Sequence, residues 1–266
     1  MAIDSWRQPR RLFLLAIGGL TVFFLMVPTL VVVPMSVTSS NALTFPPEGF
    51  STRWYEKMLT DRQWSTGFIN SAQTALLAAL LATVLGTLAA IGTARGRFPG
   101  RSAVNALILS PLIVPVIIIA IGMFSVFVRW KIAGSMVGLV MAHTALAVPF
   151  VVVNVTTSLR TMDRNLELAA QSLGAGPVRT FRRITLPLIM PGMLAGGLFA
   201  FITSWDEVVV AIFLTSARFR TLPVEMWEQV RQVVDPTVAA VSTTLLAVTT
   251  TLLLLAFVAR RQGPAR

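Results

Sequence analysis

Two adjacent carboxylates, Asp206 and Glu207, interrupt the run FITSWDEVVVAIFL at residues 201–214, which is otherwise apolar enough to lie in a membrane. A charge at the bilayer centre costs about 2.5–3.5 kcal/mol on insertion scales, so such residues face a polar interior, a partner or an ion. Away from water a carboxylate attracts a cation far more strongly. The pair could receive a cationic solute, or it could bind a basic group or hydroxyl of another subunit and hold an interface. Trp205 could set its ring against a cation or simply pack. Gly192, Gly196, Ala200 and Ser204 recur every four residues, a small-residue stripe that permits close helix approach. Thr203 and Glu207 run beside that stripe. A continuous helix would turn Glu207 toward this seam and Asp206 about 100° away, bordering a cavity. His143, beside Thr144, could carry a proton or hydrogen-bond a neighbouring helix; the second use is the expected one.

These residues must sit on membrane-spanning helices. The chain has 266 residues, 55% of them hydrophobic and only 12% charged, against roughly a quarter charged in soluble domains. Six runs reach the roughly 20 residues a span needs: about 12–35, 69–94, 103–128, 134–158, 188–215 and 236–259. The fold class is therefore all-α, a polytopic membrane protein read as one domain. The first run follows a basic start but is too long for a signal-peptide core, and no A-x-A site follows it. Pro111 and Pro115 remove donors within the third run, leaving either a pathway-shaping bend or an ordinary packed kink.

With no cysteine and one histidine, thiolate chemistry is excluded and no metal site is expected. An intramembrane enzyme would need a nucleophile and base or a metal cluster, which this composition supports poorly. The net charge of +11 reads as cytoplasmic loop charge, and no aromatic-basic motif points to nucleic acid. An even number of spans puts both termini on one side. Fourteen of the 22 basic residues fall on that side, so the termini are expected in the cytoplasm.

The longest cytoplasmic loop, RTMDRNLELAAQSLGAGPVRTFRRITLPLIMPG (residues 160–192), has a helical pattern of its own. Asp163 can cap a helix start. Leu166, Ala169, Ala170 and Leu173 share one helix face, and Gly174 suits a left-handed C-terminal cap. Gly176 and Pro177 then fit the N-cap and first position of a second short helix. Phe181 and Ile184 give it an apolar side, and Arg179, Arg182 and Arg183 a basic one. Such a unit can enter a groove of another protein or rest on lipid headgroups.

On its spacing, the loop resembles the EAA loop of ABC importer permeases, E-A-A-x-x-x-G-x9-I-x-L-P. Ala169, Ala170, Gly174, Ile184, Leu186 and Pro187 fall in register. The motif's glutamate position, 168, is leucine, and the acid lies one place earlier at Glu167. From about residue 65 the chain is similar to the second permease subunit of spermidine/putrescine importers, the PotC type. That resemblance implies the type I ABC importer permease fold, with a coupling loop at 160–187 and a coupling helix at about 163–175. It also implies a bacterial inner-membrane location and a function without catalysis: half of an alternating-access pathway for a small cationic solute, a polyamine. The implied partners are a pair of ATP-binding subunits, a second homologous permease, a periplasmic solute-binding protein and membrane lipid. No cofactor is expected on this chain, which has no phosphate-binding G-x-x-x-x-G-K-[ST] loop; ATP and Mg belong to the partner ATPase. The implied coupling residues are Glu167, Ala169, Ala170, Gly174, Ile184, Leu186 and Pro187. The candidate pathway residues are Thr203, Ser204, Trp205, Asp206 and Glu207. Related permeases carry opines, amino acids or their derivatives. An ion-coupled secondary transporter could use Asp206 or Glu207 for protons, but it leaves the Ala169–Pro187 spacing unexplained.

The outer segment LPVEMWEQVRQVVDP, residues 222–236, reads as a helix entered at Pro223. Met226, Val230, Val233 and Val234 share an apolar face, as in a helix lying at the membrane interface.

Overall fold

The computed structural model describes residues 7–232 and 235–261. The two chain ends and Val233 and Val234 lie outside the described residues. No β-strand forms among those described, and helices carry the whole architecture. Two compact units result. One comprises residues up to Asp61 together with Glu228–Val248; the other comprises Arg62–Trp227 and residues from Thr249 on.

The first unit begins with α1 (Arg7–Met35), followed by a loop and α2 (Arg53–Thr60). The apolar side chains of α1 are exposed from Leu12 to Met26. Trp54 Nε1 donates to the Thr38 carbonyl at 2.8 Å, and the Arg53 guanidinium stacks over the Trp54 ring. Lys57 pairs with Asp235. Burial pushes the Asp235 carboxyl up, but hydrogen bonds from Lys57 and Thr237 outweigh it and hold the group below its ordinary value.

The second unit is built on α3 (Arg62–Arg95), α6 (Met136–Thr161) and α9 (Leu186–Asp206), which pack against one another. Their shared core is made of small and β-branched residues, including Ala79, Ala82, Val151, Val155 and Ala200. Glycine sets the spacing. A Cβ on Gly86 would come within 2.7 Å of the Val151 side chain, and one on Gly196 within 2.7 Å of the Val151 Cα. Between apolar helices in lipid, such close packing replaces the hydrophobic drive available in water. The stripe read from the sequence is buried at Gly192, Gly196, Ala200 and Ser204.

Two expected spans are broken. In place of one helix over 103–128 stand α4 (Arg101–Leu109), a 3-10 turn (Ser110–Leu112) and α5 (Val116–Arg129). The two arms are bent by 104°. Pro111 lies within the tight turn and Pro115 caps α5 in an extended conformation. Two missing donors four residues apart leave too little ladder to carry the helix through. α5 instead packs on α6 and on α10 (Val209–Leu214) around Phe127, Leu139, Leu146 and Leu214. The expected span 188–215 also fails to be continuous: α9 stops at Asp206 and α10 starts at Val209. Four helices among the described residues are long and apolar enough to cross a membrane unbroken, and the bent α4–α5 pair makes a fifth candidate. The last helix, α12 (Thr237–Arg261), has an apolar stretch over Thr237–Thr251.

Candidate functional site

The loop between α6 and α9 forms α7 (Asn165–Ser172), α8 (Pro177–Thr180) and one π turn (Phe181–Thr185) leading into α9. Asp163 Oδ1 accepts the Asn165 N–H at 2.9 Å, so the acid does serve the helix start, from one residue before the N-cap Arg164. At the other end Gly174 adopts φ +84°. The Gly174 N–H bonds the Gln171 carbonyl at 2.9 Å and the Ala175 N–H bonds the Ala170 carbonyl at 3.0 Å. That pair of bonds is the Schellman closure, which needs a left-handed residue at this point. Gly176 and Pro177 occupy the N-cap and first position of α8 as the sequence implies. Pro187 cannot donate to the Arg183 carbonyl, and the widened turn lies immediately before it.

The face of α7 holding Ala169, Ala170, Leu166 and Leu173 is not covered by this chain. Leu166 is 46% exposed and Leu173 87%. Ala169 is exposed, Ala170 half-buried, and further along Ile184 and Leu186 are half-buried and Pro187 exposed. Glu167 does the opposite. It is buried, pairs with Arg95 at the end of α3, and accepts the Thr185 hydroxyl. The one-residue offset from the motif position therefore does not weaken this acid. Position 168 points out, with Leu168 51% exposed, while Glu167 points in and ties α7 to α3 and to the foot of α9. Arg95 and Thr185 were not legible as its partners, because no sequence spacing joins residues 72 and 18 positions away.

The carboxylate pair sits at the α9–α10 break. Glu207 turns extended, with φ −71° and ψ 118°. Both of its carboxylate oxygens lie 3.2 Å from the Val210 N–H, a donor in the first turn of α10. A carboxylate at a helix N-terminus satisfies an orphan donor and complements the helix dipole. Glu207 is thus a cap, and the helical geometry that aimed it at the seam does not apply. Asp206 is exposed and makes no hydrogen bond or ion pair among the described residues.

The other three candidates separate from this pair. Trp205 is 3% exposed, edge-on to Phe68 with ring centroids 5.3 Å apart and stacked on Phe201 at 5.6 Å. Its ring is packing, not an open face. Ser204 is buried and lies 2.7 Å from His143 Nδ1, so the histidine is the interhelical bond expected of it. Thr203 is half-buried. After α10, α11 (Leu222–Gln232) buries Val224 and Glu225 and leaves Trp227 and Val230 exposed. Gln63 Nε2 donates to Glu225 at 2.6 Å and Arg220 lies 3.6 Å away.

Residues 82–263 match the family of binding-protein-dependent transport system inner membrane components. The chain is 34% identical to the putrescine transport system permease protein PotI of Escherichia coli K12, covering 89% of this chain and 85% of that one. It is 30% identical to the spermidine/putrescine permease PotC of the same strain, over 83% of each. Its fold is similar to a bacterial ABC transporter involved in the import of the acidic polysaccharide alginate. The TM-score there is 0.72 at 13% identity, over 99% of this chain and 100% of that one. The alginate transporter in complex with its pentasaccharide-bound periplasmic protein gives 0.70 at 15% identity, over 95% of each. The uncovered α7, anchored through Glu167, and the α9–α10 break both lie within the matched residues, and the match settles the family: this chain belongs to the binding-protein-dependent transport system inner membrane components and is the permease subunit of an ABC importer.

Proposed function

We propose that this permease forms half of the pathway for a small cationic solute of the polyamine class, with Asp206 as the residue that meets it. The observation that carries the reading is an exposed carboxylate, without an ion pair among the described residues, at a helix break within apolar sequence. Two relatives whose names state putrescine or spermidine/putrescine transport support the solute class. A polyamine presents several ammonium groups, and a carboxylate poised without a protein counter-ion gains most when one arrives. The contact must also be given up, which favours an open single carboxylate over an enclosing cage.

As an ABC permease the chain is a non-catalytic membrane component. In our reading ATP and Mg are held by a pair of separate ATP-binding subunits, each receiving an α7. The uncovered Leu166–Leu173 face is the surface offered, and Glu167–Arg95 transmits its displacement to α3. A second homologous permease completes the pathway, and a periplasmic binding protein delivers solute to the outer face. The chain is multi-pass in the inner membrane, and both termini face the cytoplasm. Coupling requires that closure of the ATPases favour one orientation of the spans over the other.

The test compares Asp206→Asn with Asp206→Glu in the assembled importer. Asn should cut putrescine or spermidine uptake about tenfold or more at unchanged assembly and basal ATPase activity, and Glu should retain most of it. Parental uptake by the Asn variant would remove Asp206 from the pathway. Loss of assembly would assign it to the interface with the other permease. A binding screen on the partner binding protein, spanning polyamines, opines and amino acids, separates the polyamine reading from other amine solutes.

A further inference from the structure

Where α3 and α6 end and α4 begins, the second unit contains a polar cavity of about 340 Å³. Five arginines line it: Arg95, Arg97, Arg101, Arg160 and Arg164, with Asn105 beside them. Arg95 is taken by Glu167, and Arg101 reaches the Ala94 and Gly96 carbonyls at the end of α3, both at 3.4 Å. Arg97, Arg160 and Arg164 have no ion pair among the described residues. The nearby Asp163 carboxylate is used by the Asn165 N–H. α4 starts at the cavity with Gly100 as N-cap and no side-chain cap, so its dipole adds to the positive field.

Scattered arginines at span ends need only the positive-inside rule to account for them. Five guanidinium groups around one concavity repel each other, and that arrangement is eased by an anion that shares them. The cavity lies at the ends of apolar helices, which is headgroup depth, and exposed apolar side chains continue from it along the same helices: Leu88 on α3, Val104 and Leu107 on α4. A basic pocket between span ends with an apolar wall leading away has the form that receives an acidic lipid. The tip that this chain leaves for protein contact is a different surface, the leucine face of α7.

We infer that this cavity is a phosphate-binding site occupied by the headgroup of an anionic phospholipid such as phosphatidylglycerol. Because Arg95 both lines the cavity and holds Glu167, an occupied site bears on the anchor of α7 and so on the response of the permease to its ATPase. The inference concerns the bilayer, not the solute, and it stands whatever the importer carries.

The test uses the assembled importer, in nanodiscs of phosphatidylcholine alone or with one-third phosphatidylglycerol. Phospholipid retained after detergent extraction is counted by native mass spectrometry. The parental complex should keep phosphatidylglycerol in preference to phosphatidylcholine. The triple variant Arg97→Gln/Arg160→Gln/Arg164→Gln should retain about tenfold less, while the corresponding triple lysine variant, which preserves charge and topology, keeps most of it. In phosphatidylcholine alone the single variant Arg97→Gln, outside the coupling loop, should assemble and hydrolyse ATP like the parent, and it should show a weaker response to phosphatidylglycerol than the parent. Equal retention by parent and Gln variant overturns the site. Displacement of the retained lipid by millimolar inorganic phosphate reassigns it to a soluble phosphate and overturns the lipid assignment. Absence of retained lipid together with loss of ATPase subunit from the Gln variant overturns it in favour of a protein contact.

Discussion

Glu167 and Asp206 are both carboxylates at helix ends, and the protein treats them in opposite ways. Glu167 is buried, paired with Arg95 and bonded by Thr185. Asp206 is exposed and unpaired among the described residues, and its neighbour Glu207 is absorbed in capping α10. A satisfied charge fixes geometry, because moving it exposes two uncompensated groups. An unsatisfied one leaves binding energy for something that arrives later. On the proposed reading, the end of the permease held by Glu167 transmits a displacement, and the α9–α10 break meets a solute without being consumed by its own chain.

The sharpest way to break this contrast is to unpair the fixed charge. Glu167→Ala leaves Arg95 without its carboxylate and Thr185 without its acceptor, a loss of about 2 kcal/mol for a charge-assisted pair that is only partly shielded from water. Uptake should fall roughly 30-fold on that figure, with basal ATP hydrolysis persisting, since the solute side is untouched. Co-purification of the ATPase with the variant, combined with uptake, reads the difference between lost docking and lost coupling. The swapped pair Arg95→Glu/Glu167→Arg should recover part of the uptake. A fully active Glu167→Ala importer would mean that the anchor transmits nothing.

A smaller effect comes from the turn behind that anchor. Gly174 sits at φ +84°, and a Cβ there would meet nothing within 4 Å. Substitution therefore costs backbone conformation alone, about 1–2 kcal/mol for a β-branched residue. Gly174→Val should lower ATPase association and uptake roughly tenfold, while Gly174→Asn, which tolerates the left-handed region, should be nearly silent. If the two behave alike, the turn is not what presents α7.

The two regions also differ in how far they could be read before the fold was known. At Gly174, Gly176 and Pro177 each residue dictates its own backbone, so spacing alone located α7, its end and the next helix start. The small-residue stripe of α9 was likewise legible, because helix approach depends on side-chain size at a fixed period. The break after Asp206 was not. FITSWDEVVVAIFL contains no proline or glycine, and its interruption is held by a side chain folding back on Val210. Periodicity assumes a continuous helix, so it misplaced Glu207 by the very feature that gives Glu207 its role. The proline pair at 111 and 115 flagged a disturbance but not its 104° size, which is set by α5 packing on α6 and α10. Glu167 shows the converse: the acid one place out of motif register occupies the inward-facing position once α7 is placed. Partners far along the chain, such as Arg95 for Glu167 or Ser204 for His143, have no local signature.

The smallest expected effect separates the two adjacent acids. Glu207→Gln keeps an oxygen that can accept the Val210 N–H and loses only the charge at the helix N-terminus, about 0.3–1 kcal/mol. Glu207→Ala also loses the acceptor, for about 1 kcal/mol in total at a typical cap. Polyamine uptake should then fall by about two- to fivefold for Gln and by about fivefold for Ala. Both losses should scale with a lower thermal midpoint of the complex rather than with a changed solute KM. Asp206→Asn should do the reverse, raising KM or cutting turnover without moving the midpoint, since the Asp206 side chain makes no hydrogen bond or ion pair among the described residues. If Glu207→Gln matches Asp206→Asn in KM and leaves the midpoint unchanged, the cap opens during transport and both carboxylates meet the cation. The contrast between a spent and an unspent charge would then hold only for the resting conformation.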